Sequence, residues 1–232
     1  MHRYAQTNLQ LYAQLGAAGW TEPQLALVAS GYQLDMEICG ASFRPSGKPF
    51  MCHLVGTASI VASWAAPVAE VVCGLVHSAY THGAWPDGGA GMTDARRAAV
   101  RQAVGEECEA LVAAYTRLAW KPSAIEQWAG DPDSLSAGER VALRVRLANE
   151  LEDHLDLGMQ YSRKTKAASS PQAGDPLLVL AERLVGPDFS DALAAAIAAD
   201  AERTVPAVLV RADRKSFRSE PAQAASGRGG RA

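Results

Sequence analysis

The stretch PVAEVVCGLVH, residues 67–77, decides the fold that we expect for this chain. Its proline suits the first turn of a helix, because the ring fixes the backbone in a helical conformation. The residues that follow are apolar on nearly every side of such a helix, with Glu70 as the one charged exception. A helix that is apolar all round is buried, so this segment is expected to be the central helix of the fold.

The sequence on either side of this helix repeats its apolar residues at helical spacing, and no segment alternates like a half-buried strand. A capping box, Ser136 to Glu139, predicts the start of one further helix. We therefore expect an all-α fold. The predicted helices cover about 7–17, 25–36, 50–64, 67–77 and 94–118, and others begin at Ser136, Asp175 and Ser190.

The chain is expected to divide into a helical domain, residues 1–163, and a small C-terminal helical appendage, residues 175–210. Polar residues at 164–174 are typical of a linker between the two. Residues 211–232 are basic and then rich in glycine, serine and alanine, a composition that predicts a disordered tail.

Composition excludes several classes of protein. Hydrophobic residues make up 48% of the 232 residues and charged residues 20%, which argues against wholesale disorder. A net charge of −3 argues against a dedicated nucleic-acid binder. Since no apolar run approaches the length of a transmembrane helix, we expect no membrane partner.

Four cysteines lie in apolar helical stretches with no Cys-x-x-Cys pair among them: Cys39, Cys52, Cys73 and Cys108. This pattern is typical of reduced, buried cysteines rather than of a disulfide framework. It favours a cytoplasmic protein, because reduced thiols are usual in that compartment.

Two histidines are the first candidates for chemistry. His53 follows the polar loop RPSGKPF, residues 44–50, and His77 ends the most apolar helix. A histidine in that position is either a core residue bonded to a carbonyl or hydroxyl, or a ligand or acid/base group at the floor of a pocket. The residues alone leave both alternatives open.

These residues give the sequence a resemblance to the HD superfamily of helical metal-dependent phosphohydrolases. That pattern is a His on one helix, a His-Asp pair ending the next, and an Asp on a later helix. His53 matches the first position, GLVHS at 74–78 the second, and RLAN at 146–149 the last. The loop at 44–50 is similar to the corresponding segment of RelA/SpoT-type alarmone hydrolases. The closest resemblance is to bacterial HD-like proteins with a degenerate His-Ser motif.

The resemblance covers about residues 40–155 and implies an HD-like helical bundle that binds a small anionic ligand. Arg44 and Lys48 would hold its phosphate or carboxylate, and Ser78 and Asn149 would orient a carbonyl or hydroxyl. Residues expected to complete the binding site are Tyr80 and Trp85, the latter on a mobile glycine-rich lid at residues 83–91.

Two departures from the family pattern weaken the metal site that it implies. Ser78 and Asn149 stand where the family has carboxylates, so two ligand charges are lost. One alternative is a rebuilt triad of His53, His77 and His82 for a divalent metal ion such as iron, manganese or zinc. The other is acid/base catalysis without metal, by the same three histidines and Asn149.

Neighbouring residues are assigned mainly structural roles. Asp153 shares a helix face with Asn149, but the run ELED at 150–153 favours a solvated acidic surface. His154 is expected to point elsewhere, because it lies about 140° round the helix from Asn149. Trp120 and Trp128 are expected to pack a long connection.

The sequence thus predicts a divergent HD-fold enzyme, of hydrolase or lyase type or repurposed to work without metal, in bacterial specialised metabolism. Its substrate would be a small anionic metabolite that is nucleotide-like or phosphorylated. The alternative is a non-catalytic ligand-binding or scaffold protein that retains the HD fold. A homodimer is compatible with either hypothesis.

Overall fold

The computed structural model describes residues 4–89, 91–158, 160, 174–209 and 215–219. Helices dominate these residues and confirm the predicted all-α fold class. None of the helices in the described ranges is long and apolar enough to cross a membrane. The helices are α1 (Asn8–Ala17), α2 (Glu22–Cys39), α3 (Phe50–Ala62), α4 (Val68–Val76), α5 (Ala79–His82), α6 (Asp94–Arg117), α7 (Pro122–Gly130), α8 (Ala137–Leu155), α9 (Pro176–Leu184) and α10 (Pro187–Glu202).

The central position predicted for α4 is confirmed. It packs against α2, α3, α6 and α8, and Val71, Val72 and Leu75 are completely buried. Each such side chain contributes about 1.5–3 kcal/mol through burial of apolar surface. Gly74 lets α3 approach closely, since a Cβ there would lie 3.3 Å from the Cα of Ala58.

The long helix expected at 94–118 is broken in the middle. Gly105 has φ +83° and ψ 167°, a conformation that side-chain-bearing residues rarely adopt, so α6 consists of two helical segments. Val104 before the break and Cys108 after it are both buried. The predicted apolar stripe therefore exists, but a bend divides it.

The two C-terminal helices pack on the first part of the chain instead of standing apart from it. Leu180 of α9 and Leu193 of α10 are completely buried and belong to the same hydrophobic core as α4. His154 also joins α8 to α10, since its Nδ1 lies 2.9 Å from Oδ2 of Asp200. The expected linker falls mostly outside the described residues.

A short antiparallel sheet connects the C-terminal end of the described chain to the segment that follows α2. Its strands are β1 (Ser42–Phe43) and β2 (Phe217–Arg218), and no strand was expected in either place. Disorder was the prediction for residues 211–232; of these, residues 215–219 are described, and Phe217–Arg218 form this strand. The other residues of that tail lie outside the described residues.

The cysteine prediction agrees with the structure. All four cysteines are free, and three of them, Cys39, Cys73 and Cys108, are buried. Burial raises the pKa of the Cys39 and Cys73 thiols, so these groups stay protonated near neutral pH.

Candidate functional site

A cavity of about 450 Å³ lies among α5, α6, α8 and the loop after β1. We call it the arginine cavity, because Arg44 and Arg146 both line it. Four of the predicted site residues meet there: Arg44, Ser78, His82 and Asn149. The full lining is Arg44, Ser78, Thr81, His82, Tyr115, Thr116, Leu118, Trp120, Arg146, Asn149, Glu150, Asp153 and Ser216.

His53 and His77 lie side by side below this cavity. Their ring centroids are 5.3 Å apart and the rings meet edge to face. Both residues are buried, with 0% and 1% of their surface exposed, and neither lines the cavity. The structure therefore brings together the two histidines that the sequence singled out, at a depth that the sequence did not indicate.

Hydrogen bonds fix the same tautomer on both rings. Nδ1 of His77 lies 2.8 Å from the carbonyl oxygen of Gly74, which can only accept, so this nitrogen carries the proton. Nδ1 of His53 donates to the Glu152 carboxylate in the same way. Each Nε2 is then a lone-pair acceptor, and among the described residues neither has a hydrogen-bond partner.

Burial also keeps these two imidazoles neutral. It lowers the pKa of His53 well below the usual value, and the nearby Arg44 charge acts in the same direction. The pKa of His77 is lowered well below the usual value by burial and by its neighbour His53. Near neutral pH, each Nε2 is therefore an unprotonated base.

The expectation of a solvated acidic surface at 150–153 is wrong. Glu152 and Asp153 are buried, with 3% and 9% of their surface exposed, because α8 packs this face against α3. Each acid meets a cation from the 44–50 loop: Lys48 binds Glu152 and Arg44 binds Asp153. The predicted anion-binding cations are thus already paired with acids of this chain.

Asp153 also connects this ion pair to Asn149. The Asn149 side-chain amide donates to Oδ2 of Asp153 over 3.1 Å. Lys48 does not line the arginine cavity; it lies behind Glu152 and reaches Asp156 as well, at 3.3 Å. Lys48 therefore supports the acidic side of the site and does not face a ligand.

Sequence reasoning missed Arg146 and Tyr115. The Arg146 guanidinium donates to the Tyr115 hydroxyl at 3.3 Å, and Tyr115 donates to Oδ1 of Asn149 at 3.2 Å. Arg146 also lies 5.0 Å over the ring of Trp120, which lines the cavity as well. A signal for Arg146 was present, since it precedes Asn149 by three residues and so shares its helix face.

Tyr80 and Trp85 do not line the arginine cavity. The Tyr80 hydroxyl donates to Glu109 at 2.8 Å, inside the core. Trp85 is 8% exposed, and its indole nitrogen donates to the carbonyl of Ala79 at 2.9 Å. Trp85 lines a different groove, between α2 and α6. Both were expected to bind substrate, and both instead hold the polypeptide together.

The glycine-rich segment at 83–91 is tethered rather than open, as far as its described residues show. Arg96 donates to Asp87 at 2.6 Å and to the carbonyl of Gly91 at 2.7 Å. The Arg96 guanidinium belongs to a residue only 4% exposed, so this tether is anchored in the body of the protein. The expected lid role has no support in this geometry.

The resemblance implies a divalent metal ion, and the residues fit only half of such a site. The bare Nε2 atoms of His53 and His77 are suitable donors. Ser78 and Asn149, however, supply no charge, and two guanidinium groups line the adjacent cavity. The family's site uses two carboxylates there to neutralise the ion, so the residues taken together do not fit the family's metal ion.

The three-histidine alternative is not assembled either. His82 is exposed on α5, and Oγ1 of Thr81 lies 2.9 Å from its Nδ1. Across the described residues, the metal-ligand atoms that come within 4.8 Å of one another belong to His53, Glu152 and Asp153. Those two carboxylates already balance Lys48 and Arg44.

Comparison with known proteins gives a partial match. A family model described as "Domain of unknown function (DUF6817)" matches residues 36–119, less than half of the chain. No curated protein matches the chain significantly. The matched segment includes His53 and His77, whereas Glu152, the partner of His53, and the rest of α8 lie beyond it. The match thus covers the imidazole side of the site and names no activity.

Proposed function

We propose that this chain is a divergent HD-like enzyme that acts on a small anionic metabolite without a resident metal ion. The observation that carries the proposal is the pair of bare, neutral imidazole nitrogens beneath a cavity lined by two arginines. The cavity would bind the anion, and the imidazoles would move protons.

The cavity has the size for such a ligand, and it carries two guanidinium groups beside the carboxylates of Glu150 and Asp153. Its volume, about 450 Å³, falls within the usual range for small-molecule sites. Guanidinium groups bind carboxylates and phosphates through paired hydrogen bonds. Glu150 lies 3.3 Å from the Arg146 guanidinium, and burial raises the pKa of this carboxyl although Arg146 opposes the change. An incoming anion would compete with Glu150 for Arg146.

The imidazole pair supports catalysis rather than simple structure. A buried acceptor without a partner costs about 1–3 kcal/mol, so two such nitrogens are expensive for a purely structural element. A neutral imidazole can take a proton from water or from a substrate group and return it to the leaving group. His82 lines the cavity and would exchange protons directly, while Asn149 and Ser78 would orient the ligand.

The binding half of the proposal can be tested with inorganic pyrophosphate and isothermal titration calorimetry. Replacing Arg146 by Met should weaken pyrophosphate binding by about 10- to 100-fold, since a charged hydrogen-bond donor is lost. Arg140→Met is the matched control, because Arg140 lies on the same helix and pairs with the exposed Asp133. Equal affinities for wild type and Arg146→Met would contradict the proposal.

The catalytic half can be tested by phosphate release from a panel of phosphomonoesters, with and without a chelator. We expect turnover that survives chelation and is lost in His77→Leu, while pyrophosphate affinity is retained. Metal analysis of wild type and His53→Ala forms the control. One equivalent of tightly bound metal, lost in His53→Ala, would contradict the metal-independent proposal.

A non-catalytic ligand-binding protein is the second candidate. The observation in its favour is that His53 and His77 lie below the cavity surface and do not line it. Wild-type protein that binds pyrophosphate but turns over none of the panel would favour this second function.

The remaining parts of the proposal concern setting and partners. We place the protein in the bacterial cytoplasm, because its cysteines are free and mostly buried. The net charge of −3 favours a small-molecule ligand over nucleic acid. A homodimer stays compatible with these features.

A further inference from the structure

The segment 215–219, which we call the C-terminal strap, lies against the chain just before Arg44. Phe217 pairs with Phe43 in the antiparallel sheet, and their rings stack with centroids 5.2 Å apart. The backbone amide of Ser219 donates to the carbonyl of Ala41 at 3.0 Å. The strap is thus held by both backbone and ring contacts.

Both strands of this sheet lie next to residues that line the arginine cavity. Ser216, next to Phe217, is part of the cavity lining. On the opposite strand, Phe43 is followed directly by Arg44, whose backbone amide donates to the carbonyl of Lys48 at 2.8 Å to close the loop. Pairing of the strap therefore adds a wall to the cavity beside one of its two guanidinium groups.

The attachment is also weak enough to open. Each strand has two residues, and a ladder of that length is marginal in water. Ser216, Arg218 and Ser219 are exposed residues, whereas Phe217 is half-buried. Segments with few buried contacts open at low free-energy cost. Lys215 and Arg218 give the strap two positive charges and it contains no acid, so the strap itself carries no charge that repels an anion.

We propose that the C-terminal strap is a closing wall of the arginine cavity, which pairs with β1 more firmly when an anion is bound and so slows its release. The proposal rests on the anion-binding function given above. A ligand that contacts the closed wall must stabilise the pairing, and by linkage the pairing must strengthen ligand binding.

Tryptic cleavage after Lys215 and Arg218, followed by mass spectrometry, measures strap opening directly. In the full-length protein, pyrophosphate should slow cleavage at these two sites about threefold or more. In Phe217→Ala, cleavage should be faster, and pyrophosphate should protect less, because the ring stack is lost. Val208→Ala is the matched control, since it shortens an exposed apolar residue elsewhere in the C-terminal region.

Dissociation of pyrophosphate, measured by stopped flow, completes the test. Phe217→Ala should release it about threefold or more faster than wild type and Val208→Ala. If wild type binds pyrophosphate and Phe217→Ala shows unchanged release and cleavage, the strap proposal is overturned while the anion site stands.

Failure of the underlying function gives a different result. In that case wild type and Arg146→Met would both fail to bind pyrophosphate. The link between the strap and anion release would then be overturned together with the function. Cleavage without ligand would still test the attachment itself: equal rates in wild type and Phe217→Ala would overturn the ring stack, and faster cleavage of the variant would support it.

Discussion

Two buried polar clusters flank α5, and they differ in how completely their hydrogen bonds are satisfied. The imidazole cluster, His53, His77 and Glu152, leaves two acceptor nitrogens bare within the described part of the chain. The Glu109 cluster, Tyr80, Arg97 and Glu109, gives a partner to each carboxylate oxygen. The Glu109 cluster is thus fully bonded, whereas the imidazole cluster keeps two acceptors for a further partner.

The Glu109 cluster has a clear structural task. Arg97 precedes the break at Gly105 and Glu109 follows it, and their two hydrogen bonds of 2.7 and 2.9 Å join the two segments of α6. Tyr80 adds α5 to this clamp. The bend in α6 is therefore held by side chains and does not depend on the glycine alone.

The largest expected effect comes from breaking this clamp. Glu109→Ala should lower the free energy of unfolding by about 2 kcal/mol, because the buried Tyr80 hydroxyl would lose its acceptor. Urea denaturation measures the change. Tyr80→Phe, which removes one neutral donor, should cost about 1 kcal/mol. A Glu109→Ala protein as stable as wild type would refute the clamp.

The second prediction concerns pH. Unfolded histidine takes up a proton below about pH 6.5, whereas burial lowers the pKa of His77 in the folded protein. The unfolded state then binds more protons, so the stability that exists above that pH is lost as the pH falls.

Buried carboxyls with raised pKa values, such as Glu152, act in the opposite direction, so the useful quantity is a difference between proteins. Between about pH 7.5 and about pH 5, wild type should lose more unfolding free energy than His77→Leu. Thermal unfolding across this range measures it. Parallel pH profiles for the two proteins would show that His77 does not stay neutral in the folded state.

The third prediction tests whether Trp85, which lines the groove between α2 and α6, contributes to ligand binding in the arginine cavity. Trp85→Phe removes the indole donor to the Ala79 carbonyl and should cost about 1 kcal/mol of stability. Pyrophosphate affinity should not change, because Trp85 does not line the arginine cavity. Denaturation and calorimetry on the same preparation provide both values. Weaker pyrophosphate binding by this variant would show that Trp85 contributes to the ligand site after all.

The smallest change in the free energy of unfolding is expected for a substitution in the imidazole cluster. His77→Leu loses the bond to the Gly74 carbonyl but also removes a bare buried nitrogen, so these two contributions nearly cancel. At about pH 8 the free energy of unfolding should change by less than about 1 kcal/mol. A loss as large as that of Glu109→Ala would make the imidazole pair a structural feature, and the comparison between the clusters would fail.

Local features of the fold were predictable from the sequence. The capping box at Ser136 is present, since its backbone amide donates to Glu139 at 2.9 Å. The apolar pattern of 67–77 also predicted the central helix. Such features depend on residues a few positions apart, so short-range chemistry determines them.

The site was only partly predictable. Resemblance to a known pattern pointed to His53, His77, Asn149 and Arg44, and the structure brings these residues into one region. The resemblance could not reveal the burial of Glu152, since a run of acidic residues along one helix predicts a solvated face. Nor could it separate Tyr80 from the site, because neighbouring positions on α5 face different sides.

By itself, the sequence determined where most of the helices form and which of them is innermost, because side-chain spacing and capping act within a few residues. The helices α5 and α7 were not among those expected. Tertiary structure decided the chemistry of the site. Lys48 meets Glu152 across 104 residues of chain, and His53 meets the same acid across 99. Whether an acid is solvated, paired or left with one free oxygen depends on which faces pack together, and that is settled by distant contacts.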